Sequence, residues 1–498
     1  MAQDSKKKDD KNWDFFGLNR PQYAATPEVL LTSLAWVSTS EGKPPEVIIG
    51  KKHRGFVYKK IGKGGKADIV ETIPSLSDSR GLALSSSLNG SFSLDDRGLV
   101  KRAARILLDE VKGNTPTKAT SASIIPLDAT SALMQDVKGV QGVEGPPNFA
   151  KIMQRMYSLG GGVQDAAELL AEAYAKMEPL GGSDWFEKAM IAMAPDEIKA
   201  CSDSLLKATR KKAKQEPIPC WLSGIETPYS WFANAWHKLL TDEWKKVMPR
   251  RRWVDWATCV LRTGLGTGYI FEMNFYYQIV IGLMNNESAT DVASRALSRR
   301  DQFFTWDAVA SISSRDVAGR LKKLCRRGTS CRELVKNWLD EYPDDFPSPQ
   351  SYFEDKDGIE KWIVDARKWL GKNKDEMKKI KNSIASNASG ASNNIEETIR
   401  YSLIERGKRG YNEDYYSVLR KRGRRYTVVE PGQEWFVVIA SLEANGVGGV
   451  TRVSRVIEAL ESLGMQASYK TIVKELERVG LARSSHDADD AIEVAAAF

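Results

Sequence analysis

Residues 451–482 read TRVSRVIEALESLGMQASYKTIVKELERVGLA, and their punctuation decides how the C-terminal part of the chain is read. Thr451 precedes an apolar row at helical spacing: Val453, Val456, Ile457, Leu460 and Leu463. Gly464 to Ala467 interrupt that row with a short turn. Ser468 is placed to cap a further helix carrying Ile472, Val473, Leu476 and Val479, and Gly480 to end it. Upstream, Pro431-Gly432 precedes an apolar helix over 433–444, followed by a Gly-rich turn at 445–449. Downstream, 481–483 and 492–494 read as short strands around a polar turn.

Helix, helix, tight turn, helix and β-hairpin is the order of winged helix-turn-helix domains, which 433–498 resembles in spacing. The resemblance is one of fold, so its functional content comes by analogy. It implies a third helix lying in a major groove, with Ser468, Tyr469 and Thr471 nearest the base edges. Lys470, Lys474 and Arg478, four apart, share one side of that helix. Arg452 and Arg455 of the second helix then meet phosphates. The charge balance points the other way. Residues 434–498 hold six Lys and Arg against ten Asp and Glu, a net of −4. A module that binds only protein is therefore an alternative.

The segment before this unit is basic. Arg420-Lys421-Arg422-Gly423-Arg424-Arg425 places five cations in six residues. Tyr411, Tyr415, Tyr416 and Tyr426 are interleaved nearby, with Lys408 and Arg409. Cations beside aromatic rings suit a nucleic-acid strand through charge neutralisation and stacking. Further basic clusters stand at 207–214, 245–252 and 320–327.

Composition bounds the rest. The 498 residues hold 73 Lys and Arg against 65 Asp and Glu, a net charge of +8, with 42% hydrophobic residues. That is a globular balance, with a length suited to about three domains. The five cysteines, Cys201, Cys220, Cys259, Cys325 and Cys331, form no CxxC pair, so neither a disulfide framework nor a zinc ribbon is expected, and a reducing cytosol fits. His53, His237 and His486 lie far apart in the chain, and no local signature of a metal or nucleophilic site surrounds them. The opening MAQDSKKKDDKN has no apolar stretch, so no secretory leader is expected. The most apolar run, 269–284, contains Glu272, Asn274 and Gln278 and is too short to span a bilayer.

The expected fold class is mainly α. Residues 1–12 read as a solvated tail, and 13–147 as an α+β N-terminal domain. Within that domain a helix runs from Thr26-Pro27 through Leu30, Leu31 and Leu34 to Val37. Strands are expected at 47–49, 56–58 and 67–73, and a helix over 95–111. Residues 148–381 read as a multi-helix central domain, with helices over 164–177, from about 184 and 195, and over 231–247, 253–265, 269–284 and 315–325. NSIASNASGASNN at 382–394 reads as a linker, followed by the basic and aromatic segment 395–432 and the winged-helix domain 433–498.

Three patterns look like enzyme motifs. Gly264-Leu265-Gly266-Thr267-Gly268 resembles the glycine loop of S-adenosylmethionine-dependent methyltransferases, but Arg262 stands near the place of the expected acid. A corner between two helices is the preferred account. Pro343-Asp344 with Glu354-Asp355-Lys356 resembles the PD-(D/E)xK nuclease pattern, which needs its Glu-x-Lys on a buried strand. IGKGGK at 61–66 lacks the spacing of a phosphate loop and reads as a β-turn. No catalytic residue, metal or cofactor is therefore assigned. The expected function is a cytosolic, non-catalytic, DNA-associated accessory subunit holding other protein subunits, as in DNA modification or restriction, phage defence or transcription control. A Mg-dependent nuclease and a protein-only adaptor are the alternatives.

Overall fold

The computed structural model describes residues 14–22, 28–40, 58–61, 69–72, 86, 121–122, 125–127, 131–132, 148–176, 217–298, 303–307, 310–385, 391–406, 414–423, 425–483 and 492–498. It is mainly helical. Helix α1 (Glu28–Ser40) is followed by β1 (Tyr58–Ile61), β2 (Ile69–Thr72) and β3 (Ser121–Ala122), which form an antiparallel sheet in the order β2-β1-β3. The strand expected over 67–73 coincides with β2. The helices expected over 95–111 and from 184 and 195, the strand at 47–49 and most of IGKGGK lie outside the described residues.

Helix α2 (Phe149–Leu159) leads to α3 (Ala166–Ala175), where the Asp165 side chain accepts the Ala167 and Glu168 N–H groups. Helix α4 (Pro228–Thr241) begins on a reciprocal cap between Thr227 and Ser230, with Pro228 in its first turn. After the short α5 (Trp244–Val247), α6 (Arg250–Asn285) runs unbroken for 36 residues. At 1.5 Å per residue that is about 54 Å. Around it pack α1, α2, α4, α7 (Ala289–Leu297), α8 (Ala318–Glu341), α9 (Gly358–Lys372), α10 (Lys374–Ala385) and α11 (Ala391–Leu403). Residues 256–270 are all buried, as a helix surrounded on every side requires.

The continuity of α6 overturns the helix corner expected at Gly264 to Gly268. Those glycines do not turn the chain. They let neighbours approach: a Cβ would stand 2.7 Å from the Phe232 ring at Gly264, 2.6 Å from Leu403 at Gly266 and 3.0 Å from Met156 at Gly268. Close packing from three segments offsets their weak helix propensity.

The described residues of the Ser/Asn-rich stretch expected as a linker over 382–394, at its two ends, are helical. Helix α10 continues to Ala385, α11 starts at Ala391, and α11 packs on both α6 and α8. Tertiary contact on Ile395, Ile399 and Leu403 overrides the polar composition. Residues on either side of the expected boundary at 147 also share one core. Leu30, Leu34 and Trp36 belong to the same buried cluster as Met153, Leu170 and Trp236. Phe15 and Phe16 sit at its centre, edge-on to Phe275 at 5.0 and 4.7 Å.

Strand β4 (Phe304–Trp306) precedes α8, and a hairpin of β5 (Leu419–Arg422) and β6 (Tyr426–Val429) follows α11. The C-terminal unit then runs α12 (Gln433–Leu442), β7 (Val450–Arg452), α13 (Val453–Ser462), β8 (Met465–Ala467), α14 (Tyr469–Val479), β9 (Ala482–Arg483) and β10 (Glu493–Ala495). Strand β10 lies antiparallel between β7 and β9. Three features differ from expectation. Thr451 lies in β7 rather than capping α13, Arg452 ends β7 rather than lying within the second helix, and 465–467 form a strand rather than a turn, because β8 pairs in parallel with the distant β4. Among the described residues no helix is long and apolar enough to cross a membrane.

Candidate nucleic-acid interface

Helix α14 shows how its sequence sets its two faces. The Ser468 hydroxyl accepts the Thr471 N–H at 3.2 Å and closes the N-terminus. Gly480 ends the helix in the left-handed region at φ 77°. Ile472 and Leu476 are buried, while Tyr469, Lys470, Lys474 and Arg478 are exposed. Neither lysine forms an ion pair with a described residue. Arg478 does: its Nε donates to Glu475 Oε2 at 2.6 Å.

The helix is held at its leading end. Phe304 to Trp306 of β4 pair with Met465 to Ala467 of β8, immediately before Ser468. Trp306 is buried, edge-on to Phe436 of α12 with ring centroids 5.3 Å apart. Helix α12 is fixed in turn to α6, where Arg252 pairs with Glu434, and to α4, where Lys238 Nζ donates to the Leu442 carbonyl at 2.7 Å.

The basic segment divides into two sets. Arg420 lies 3.7 Å from Glu405 and 3.8 Å from Glu430, and Arg422 forms a forked ion pair with the same Glu430. These two guanidiniums therefore turn toward acids of the fold: Arg420 and Arg422 alternate on the face shared by Tyr426, Val428 and, one residue beyond β6, Glu430, while Glu405 follows α11. Lys421 and Arg425 point outward, and Arg425 lies over the Tyr426 ring at 5.4 Å. Arg424 lies outside the described residues. On β7 and α13, Arg452 is exposed opposite Glu493 in the ladder, and exposed Arg455 pairs with Glu458 at 2.9 Å. Tyr416 is turned inward, its hydroxyl accepting from Arg252 at 3.2 Å, and burial pushes that phenol well above its ordinary pKa.

In the sequence, 420–425 and 468–478 stand more than forty residues apart. The fold brings Arg420, Arg422 and Arg478 to one cavity of about 360 Å³ between the hairpin, the start of α12 and α14. It adds Arg315, Trp306, Tyr415 and Glu475 to the walls. Arg315 and Trp306 carried no local signal, since their place depends on pairing between distant segments. An apolar-to-charged switch at Glu475, inside an otherwise apolar helix face, was readable and is explained by Arg478.

Of the enzyme-like patterns, the glycine-rich stretch and the Glu-x-Lys form no catalytic arrangement among the described residues. Arg262 of the glycine-rich stretch is buried and holds Asp414 with two bonds, at 3.0 and 2.8 Å. Glu354-Asp355-Lys356 lie in a turn between Phe353 and α9, not on a strand, and Asp355 pairs with Lys361 at 2.9 Å. Cys259, Cys325 and Cys331 are buried. Burial raises their thiols, those of Cys259 and Cys331 to about 12, which leaves them protonated near neutral pH. No group of three metal-ligating side chains occurs among the described residues.

One buried ionic cluster is structural. Arg332, with Glu272 on one flank at 3.3 Å and Asp14 on the other at 3.3 Å, ties α8 to α6 and to the N-terminal segment. Burial alone would raise Asp14, but Arg332, Lys336 and the Gly17 N–H hold it below the usual carboxylate range. Burial raises Glu272 to about 7 against the pull of Arg332, with Asp14 adding to the rise. Neither Glu272 oxygen accepts a hydrogen bond from a described residue. Comparison of the chain with protein-family models, with curated proteins and with solved structures gives no match.

Proposed function

We propose that the protein is a non-catalytic accessory subunit that associates with DNA through its C-terminal unit, read as a winged helix, while the helical body around α6 holds other protein subunits. The observation that carries this reading is the outer face of α14. Tyr469, 49% exposed, stands there with Lys470 and Lys474, and among the described residues no carboxylate pairs with either lysine. Exposed lysines four apart on a capped helix are suited to phosphate and base-edge contact in a major groove. Lys421 and Arg425 on the hairpin and Arg452 on β7 are further exposed cations. Systems for DNA modification or restriction, phage defence and transcription control employ subunits of this kind, and a cytosolic setting follows from the same reading.

The test is fluorescence anisotropy of the full chain with duplex DNA over a range of salt. The expected result is binding that weakens steeply with salt, independent of Mg²⁺ and without cleavage. Mg-dependent cleavage would replace the reading with the nuclease. Absence of binding at low salt would replace it with the protein-only adaptor, which the net charge of −4 over 434–498 favours.

A further inference from the structure

The cavity beside α14 has a composition of its own. Four guanidiniums line it, from Arg315, Arg420, Arg422 and Arg478, against two carboxylates, Glu430 and Glu475. Both carboxylates are engaged, Glu430 by Arg420 and Arg422, and Glu475 by Arg478. Arg315 is the remainder. Its Nε is buried and has no hydrogen-bond partner among the described residues. A half-buried guanidinium on the wall with no carboxylate partner among the described residues leaves the cavity with an excess of positive charge, so the site favours an incoming anion. Helix α12 opens at the same place, with Pro431 and Gln433 on the cavity wall, and adds the positive end of its dipole. Trp306, fixed by Phe436, and Tyr415, 40% exposed, supply aromatic surface.

The geometry points to a nucleotide-binding site: a phosphoryl dianion on Arg315 and its neighbouring guanidiniums, with a planar base against Tyr415. Guanidinium forks match phosphate oxygens better than they match a spherical anion. Small-molecule pockets span roughly 300–1,000 Å³, so a cavity of about 360 Å³ suits one nucleotide unit. The unit is a free mononucleotide or the phosphorylated end of a strand; both present the same chemistry. Lys470 and Lys474 do not line the cavity, so this inference stands apart from groove binding by α14.

Calorimetry on the full chain tests it, with inorganic phosphate, adenosine 5′-monophosphate and adenosine as probes. The monophosphate binds more tightly than phosphate, and adenosine does not bind detectably. Arg315→Gln weakens the monophosphate by about tenfold or more, the loss expected for one charge-assisted hydrogen bond. Tyr415→Ala weakens it by about fivefold, a stacking loss, and leaves phosphate affinity unchanged. Lys470→Ala with Lys474→Ala leaves both unchanged. Displacement of the monophosphate by a 5′-phosphorylated oligonucleotide, and not by its dephosphorylated form, assigns the site to strand ends; displacement by neither assigns it to the free nucleotide. Absence of binding by phosphate and monophosphate at millimolar concentration overturns the proposal. Equal affinity in a folded Arg315→Gln variant, or loss through the lysine pair alone, overturns it too.

Discussion

The indole Nε1 of Trp435 donates to the Thr263 hydroxyl at 2.9 Å, joining the first helix of the C-terminal unit to the middle of α6. Both groups are buried. The bond stands one residue from the glycine-rich stretch, so the unit is docked on the most enclosed part of the molecule. Trp435→Phe removes this hydrogen bond and part of the packed ring. The expected loss is about 1–3 kcal/mol of stability, read by urea unfolding. Amide exchange in α12 accelerates in the variant while exchange in α8 stays as in the parent. An unchanged midpoint would show that the bond contributes nothing to docking.

Gly328 gives a prediction whose sign opposes helix propensity. A Cβ there would stand 2.5 Å from the carbonyl oxygen of Met273 and 2.7 Å from its Cα, where α8 crosses α6. Propensity alone makes Gly→Ala in a helix favourable by about 1 kcal/mol. Here backbone must move, so Gly328→Ala destabilises by about 1–3 kcal/mol. Gly371→Ala on α9 is the control, since a Cβ there meets nothing within 4 Å. It leaves stability equal or raises it by up to about 1 kcal/mol. Thermal unfolding of the two variants, run side by side, separates packing from propensity.

The Asp14–Arg332–Glu272 cluster sets a pH dependence in two windows. Glu272 rises from 4.5 in the unfolded chain to about 7 in the fold. Between those values the folded state holds a proton that the unfolded state has released, so stability falls as pH rises from 4.5 to 7 and is level above. Asp14 is lowered, so its contribution is present above its unfolded value of 3.8 and is lost as pH falls further. Glu272→Gln keeps the Asp14 partner of Arg332 and removes the upper window. Melting temperature measured from pH 5 to 8 therefore declines less in the variant than in the parent. Parallel curves would mean that Glu272 does not titrate in this range.

What the sequence reveals of this fold follows from where the signal sits. Ser468 and Gly480 mark the ends of α14 because capping acts within one turn, and Ile472 and Leu476 mark its inner face by period alone. The unbroken α6 was hidden because Gly264, Gly266 and Gly268 are local breakers whose partners, Phe232, Leu403 and Met156, lie far away in the chain. The basic run at 420–425 was legible as charge but not as orientation. Whether Arg420 and Arg422 face solvent depends on Glu405 and Glu430, brought beside them by the strand register and by the end of α11. Arg315 entered the cavity with no local mark, since Val317 and Val429 dock its segment onto β6 through backbone bonds.

The same partition of cations yields the sharpest test of the DNA reading. Each phosphate contact contributes a slope of about −0.9 in log affinity against log salt on duplex DNA. Lys470 and Lys474 are exposed and, among the described residues, paired with no carboxylate, so replacing both by Ala lowers the magnitude of that slope by up to about 1.8 and weakens all duplex sequences alike. Arg420 and Arg422 are already neutralised by Glu430 and Glu405. Replacing them by Gln leaves the slope for unphosphorylated duplex unchanged and instead destabilises the hairpin, because two half-buried carboxylates lose their partners. Anisotropy titrations at four salt concentrations, beside melting curves of each variant, read both effects. A slope that follows the arginine pair rather than the lysine pair would place the DNA on the hairpin and remove α14 from the interface.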